Sequence, residues 1–122
     1  MAAMTQASLT LYGIPNCDTV KRARAWLAER GAAVQFHDFK KQGVPAQALQ
    51  AWIAAHGWET VLNRRGTTWR TLDEATRQGV TDAASAERVM QAHASTIKRP
   101  VVAWPDGAIT VGFEPEDWAT RL

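Results

Sequence analysis

Two rhythms of apolar and polar residues alternate along the chain, and the places where one yields to the other predict its elements. Leu9 to Ile14 is a short apolar run rich in strand formers, closed by Pro15 and Asn16. Helical spacing begins at once. Asp18 and Thr19 supply a start, Val20, Ala23, Trp26 and Leu27 share one face, and Gly31 stands where a C-terminal cap belongs. Period two returns where Val34, Phe36 and Asp38 alternate with Gln35, His37 and Phe39, which predicts a second strand. Lys40 to Gly43 reads as a polar connection. Pro45 suits a first helical turn, and Leu49, Trp52 and Ile53 mark the inner face of a helix that stops at Gly57. A short helical piece from Trp58 to Leu62 leads into a basic loop, Asn63-Arg64-Arg65-Gly66-Thr67-Thr68.

Residues 72 to 94 read as helical, broken near Gly79, with Ala86, Val89 and Met90 turned inward. The apolar run Val101 to Trp104 and the segment Ala108 to Val111 flank Pro105-Asp106-Gly107, which predicts a hairpin. Glu114-Pro115-Glu116 opens a last helix containing Trp118. The order β-α-β, helices, β-β, α predicts an α/β protein of thioredoxin-like fold. Its mixed four-stranded sheet is flanked by helices and interrupted by a helical insertion. The first two strands are expected to be parallel because a helix joins them.

Composition narrows the picture. A chain of 122 residues, 46% hydrophobic and 21% charged, suits one domain. That domain is expected over residues 8–122, with residues 1–7 a loosely held, flexible N-terminus. The net charge of +2 is too small to argue for nucleic acid. No apolar stretch is long enough for a membrane span or a signal peptide, so a cytoplasmic location is expected, and a monomer with it. His37, His56 and His93 have no metal-ligand spacing, and neither a phosphate loop nor an acidic metal cluster appears. The six tryptophans read as core residues, with Trp69 and Trp104 as candidates to line a cleft.

Cys17 is the single cysteine, which excludes an internal disulfide and zinc sites built from several thiolates. It falls between a strand end and the first turn of a helix. There the backbone N–H groups lack partners and the helix dipole is positive, so a thiolate and an approaching oxyanion are both favoured. Gly13 and Asn16 let the backbone turn tightly around it. A lone cysteine is otherwise usually a small buried filler. Arg64-Arg65-Gly66 and Lys98-Arg99-Pro100 are the next candidates, since a guanidinium fork matches oxyanions and carboxylates; solvated surface charge is the competing reading.

Three segments together carry a resemblance: Leu11-Tyr-Gly-Ile-Pro-Asn-Cys-Asp-Thr-Val-Lys-Arg-Ala23, Leu62-Asn-Arg-Arg-Gly-Thr-Thr-Trp-Arg70 and Ile97-Lys-Arg-Pro-Val-Val102. They resemble the arsenate reductase (ArsC)/Spx family, and within it the YffB-like branch, over roughly residues 8 to 122 in family order. The resemblance implies a glutathione-dependent oxidoreductase. In the glutathione-coupled arsenate reductases a cysteine at the first helix attacks arsenate, arginines hold the oxyanion, and glutathione with glutaredoxin completes the reduction. On that pattern Cys17 is the nucleophile, Arg99 the arginine before the proline, and Arg65 the loop arginine, with Arg64 beside it. Asn16 and Pro100 adjoin the substrate, Pro100 matching a proline that is typically cis. No tightly bound cofactor is implied. Glutathione enters as co-substrate, glutaredoxin as a candidate partner, and a small anionic or disulfide compound as substrate.

Two departures from the family pattern matter. Arsenate reductases carry a further arginine after the hairpin, where this chain has Val111-Gly112-Phe113. Losing one of three charge-assisted contacts should weaken oxyanion binding by about 1.5–3 kcal/mol, which turns attention from arsenate to oxidised thiols. Spx regulators use a Cys-x-x-Cys switch, and Val20 occupies the second position here. That absence counts against a Spx switch, and a non-catalytic, RNA polymerase-binding regulator of the Spx type is kept as the alternative reading by analogy. A catalytic Cys17 must draw its second thiol from outside the chain.

Overall fold

The computed structural model describes residues 8–122; the expectation for residues 1–7 lies outside the described residues. In chain order the elements are β1 (Leu9–Gly13), α1 (Asp18–Glu29), β2 (Val34–Asp38), α2 (Phe39–Gln42), α3 (Ala46–His56), α4 (Trp58–Val61), α5 (Thr67–Thr71), α6 (Glu74–Gln78), α7 (Ala83–Ala92), β3 (Val101–Ala103), β4 (Ile109–Val111) and α8 (Pro115–Ala119). They fall into two compact units. One combines residues 8–38 with Arg99–Leu122, and the other is the continuous segment Phe39–Lys98.

The first unit holds the sheet, in the order β2-β1-β3-β4. β1 and β2 pair in parallel, Leu11 opposite Phe36, because α1 provides the crossover between them. β1 and β3 are antiparallel, as are β3 and β4 across the Pro105-Asp106-Gly107 turn. Alternation in β1 sends Leu9 and Leu11 to one face. There they meet Val20, Ala23 and Leu27 of α1, Val102 and Trp104 of the β3 segment, and Trp118 of α8. Trp118 is fully buried, and its ring packs edge-on against Trp104 and Phe113 with centroids 5.4 and 4.9 Å away. α1 ends in a Schellman motif. Gly31 takes φ +69°, its N–H reaches the Ala28 carbonyl at 3.0 Å, and the Ala32 N–H reaches that of Leu27 at 3.1 Å.

The second unit is helical. Phe39, Leu49, Trp52, Val61, Ala86, Met90 and Ile97 are among its buried residues, and the Phe39 and Trp52 rings lie 6.2 Å apart. α7 starts at a capping box, in which the Asp82 carboxylate accepts from the Ser85 N–H at 2.9 Å while the Ser85 hydroxyl accepts from the Asp82 N–H at 3.1 Å. Two short helices depart from the sequence expectation. Phe39–Gln42 is a single turn where a plain connection is predicted, and Thr67–Thr71 is a helix where the basic loop should continue. The second is Thr-rich and weakly helical by propensity. It is held by Arg70, whose guanidinium donates to the Arg65 carbonyl and whose N–H reaches the Gly66 carbonyl at 3.2 Å.

Candidate active site at Cys17

The turn from β1 into α1 is built by close approach. At Gly13 a Cβ would stand 2.8 Å from Cγ2 of Val20, closer than two carbons can sit, so only glycine lets the strand end meet the first turn of α1. The chain then passes through exposed Pro15 and Asn16, and the Cys17 N–H closes the turn on the Ile14 carbonyl at 3.2 Å. Cys17 is the N-cap of α1. Its backbone is extended (φ −92°, ψ 126°), and its carbonyl accepts the first helical bond from Lys21 at 2.9 Å. The side chain makes no capping bond, so the thiol is not spent on the helix that it begins. The residue is half-buried and packs against the core that contains Val20 and Trp118.

The start of β3 lies at the same end of the sheet. Tyr12 pairs with Val101, so Pro100 and Arg99 extend past the strand end toward the turn that carries Cys17. The Arg99–Pro100 peptide is cis, as the family pattern implies, and the Pro100 carbonyl accepts from the Gly112 N–H at 2.8 Å. Arg99 is half-buried, and among the described residues its guanidinium has neither a hydrogen bond nor an ion pair. Phe113 follows Gly112 and stacks edge-on against Trp118 and Trp26, giving this end of the hairpin an aromatic character.

Cys17, Asn16, Arg99 and Pro100 thus belong to one unit. Arg64 and Arg65 belong to the other, where the loop that bears them is tied down. The Asn63 N–H reaches the Thr96 carbonyl at 2.7 Å, its Oδ1 accepts from the Arg65 N–H at 3.1 Å, and Leu62 bridges to Ile97. The two arginines differ. Arg64 lies 3.4 Å from the Glu59 carboxylate and over the Trp58 ring, whereas the exposed Arg65 guanidinium has no partner among the described residues.

One contact escaped the sequence reading. Tyr12 and His37, facing each other across the parallel pair, have ring centroids 4.9 Å apart, and burial pushes the Tyr12 phenol above its ordinary value, so it is neutral near pH 7. Strand pairing makes the contact, and no local motif announces it. Trp104 is a correction. It is a buried core residue at the far end of β3, its Nε1–H donating to Thr110 Oγ1 at 2.9 Å, and it does not line the Cys17 end. Among the described residues no group of three or more His, Cys, Asp or Glu could hold a metal, and no helix is long and apolar enough to cross a membrane.

Comparison with known proteins agrees with this fold. The ArsC family model matches residues 12–121. A solved structure of a protein called YffB is 49% identical, with a TM-score of 0.89, covering 94% of this chain and 99% of that one. An arsenate reductase-related protein from Brucella melitensis is 45% identical with a TM-score of 0.74, covering 97% of each chain. A protein of Haemophilus influenzae is 36% identical over 90% of this chain and 95% of its own length. The chain belongs to the ArsC family of thiol-based, arsenate reductase-like proteins.

Proposed function

We propose that the protein is a glutathione-dependent thiol reductase acting in the cytoplasm, with Cys17 as its nucleophile and Arg99 as the group that holds the anionic part of the substrate. The observation that carries this reading is the seat of Cys17. A half-buried thiol stands at the N-cap of a 12-residue helix, takes no part in capping, and shares its end of the sheet with an uncommitted guanidinium. The first-turn N–H groups and the helix dipole suit an anion brought to that place.

In the proposed cycle the Cys17 thiolate attacks the glutathione-side sulfur of a mixed disulfide. A Cys17–glutathione disulfide forms, and the substrate thiolate leaves and takes a proton from solvent. A second glutathione, as thiolate, attacks the glutathione sulfur of that disulfide. Cys17 is released as a thiolate and oxidised glutathione departs, so the net exchange consumes one glutathione thiol for each substrate thiol released. Because Cys17 is the single cysteine, the resolving thiol must be external; glutaredoxin is the candidate to recycle the intermediate in place of free glutathione. The carboxylates of glutathione are the natural ligands of Arg99. Arg65 offers a free guanidinium on the other unit, and its contribution is read by its own variant.

Aromatic Phe113 after the hairpin favours thiol substrates over arsenate, because a tetrahedral oxyanion gains nothing from an apolar ring. The test is turnover of a glutathionylated peptide with glutathione, beside an arsenate reduction assay. Cys17→Ser should abolish turnover, and Arg99→Ala should lower kcat/KM roughly 10- to 100-fold by removing a charge-assisted contact. Turnover that survives Cys17→Ser, or that does not depend on glutathione, overturns the reading.

A further inference from the structure

The end of β1 opposite Cys17 carries a recess. Leu9, Ala33, Trp104 and Pro105, together with Arg30 and Arg121, line a cavity of about 310 Å³. All six belong to the sheet unit. At about 3.3 Å per residue, the five residues of β1 set this cavity roughly 15 Å from the turn that bears Cys17. Its volume is at the small end of the roughly 300–1,000 Å³ usual for small-molecule sites.

The two arginines are its charged side chains, and each is held in place by an aromatic ring. Arg30 stacks 3.8 Å above the Trp26 ring and its Nη1 donates to the Trp26 carbonyl at 3.1 Å. Arg121 lies 5.8 Å from the Trp104 ring, and its Nε donates to Asp117 Oδ2 at 2.9 Å. Neither Asp117 nor Glu29, whose carboxylate is 3.9 Å from Arg30, lines the cavity; Leu122 does, and among the described residues its carboxylate makes no ion pair with either arginine. Among the described residues the other guanidinium N–H groups, Nη1 and Nη2 of Arg121 and Nε and Nη2 of Arg30, have no hydrogen-bonded acceptor. An apolar recess bordered by two pre-positioned forks selects a ligand with an apolar body and a planar anion.

We propose that this cavity is a binding site for a small aromatic carboxylate, its ring against Leu9, Ala33 and Trp104 and its carboxylate taken by Arg30 and Arg121. The site is separate from the Cys17 chemistry. Amide-resolved NMR of the full chain, titrated with naphthoate and with the uncharged naphthylmethanol, tests it. Naphthoate should shift the Leu9 and Ala33 amides and the Trp104 indole, saturating with a Kd of roughly 0.1–1 mM, the range expected of so small a ligand. Naphthylmethanol should bind about tenfold more weakly, and Arg121→Gln, which leaves Arg30 in place, should narrow that gap to about threefold. Because Arg121 also bonds Asp117, Arg30→Gln serves as an independent variant with the same expected result. Equal affinity of the two probes for the unaltered protein, shifts centred elsewhere, or no saturable shift at ten times the expected Kd would each overturn the proposal.

Discussion

Replacing Gly13 by alanine tests how the Cys17 turn is seated. The new methyl would stand 2.8 Å from Cγ2 and 3.4 Å from Cγ1 of Val20, a side chain with no solvent exposure. Ordinary carbon–carbon contact begins near 3.5–4.0 Å, so about 0.7–1.2 Å must be found. No flexible chain end is available to yield it, because Val20 is β-branched and packed into the core on the first turn of α1. Overpacking of this kind costs about 1–3 kcal/mol, and the same displacement carries Cys17, three residues before Val20. Urea denaturation should therefore show Gly13→Ala destabilised by about that amount, and the alkylation rate of Cys17 should change with it. Val20→Ala alone loses two buried methyls, about 1.6 kcal/mol before any cavity term. In the double variant Gly13→Ala/Val20→Ala the clash disappears, so its cost should fall short of the sum of the single costs by about 1 kcal/mol or more. Additive costs, or a Gly13→Ala protein as stable as the parent, would refute the close-approach account.

Other expectations follow from single contacts. Trp104→Phe keeps most of the ring but removes the donor to Thr110 Oγ1, a hydroxyl that is itself buried. Thermal unfolding should show a loss of about 1–3 kcal/mol, and Trp104→Phe/Thr110→Val should recover part of it. The Asp82 carboxyl is held below the usual carboxylate range by the Ser85 N–H and hydroxyl, so its contribution is complete above the unfolded-state pKa of about 3.9 and fades as pH falls through the lower folded-state value. The melting-temperature gap between the parent and Asp82→Ala should accordingly be open at about pH 6 and narrow below about pH 3; a gap that widens on acidification contradicts the capping box. Arg65→Ala should lower turnover more than Arg64→Ala, since Glu59 and Trp58 already engage Arg64; the reverse order in kcat/KM would assign the loop role to Arg64.

Much of the sheet unit was legible because its information is local. The strand ending at Pro15, the helix start around Asp18 and the glycine at residue 31 are short-range signals, and the structure places β1, α1 and the Schellman cap where they point. Crossover logic supplied the parallel pairing of β1 with β2. The helices Phe39–Gln42 and Thr67–Thr71 were not legible, being one or two turns long with polar or β-branched residues whose helical state depends on neighbours such as Arg70. At the site, strand-end chemistry singled out Cys17 directly, whereas Arg99 depended on pairing across the sheet to join the same end. The Tyr12–His37 contact and the recess beside Trp104 left no trace in spacing, because each is assembled from strands distant in sequence.

The place of the helical segment also orders how the molecule can be made. β1 is completed by β3, yet Leu11 and its partner Val102 are roughly 90 residues apart, and the whole of Phe39–Lys98 lies between the two strands. Closing so long a loop is entropically unfavourable and slow compared with the local β1-α1-β2 pairing. A chain emerging from the ribosome must therefore hold one edge of its central strand open until β3 has been synthesised. Arg99 and Pro100 arrive just ahead of β3, so the Cys17 end of the sheet is completed only after the whole helical segment has been made.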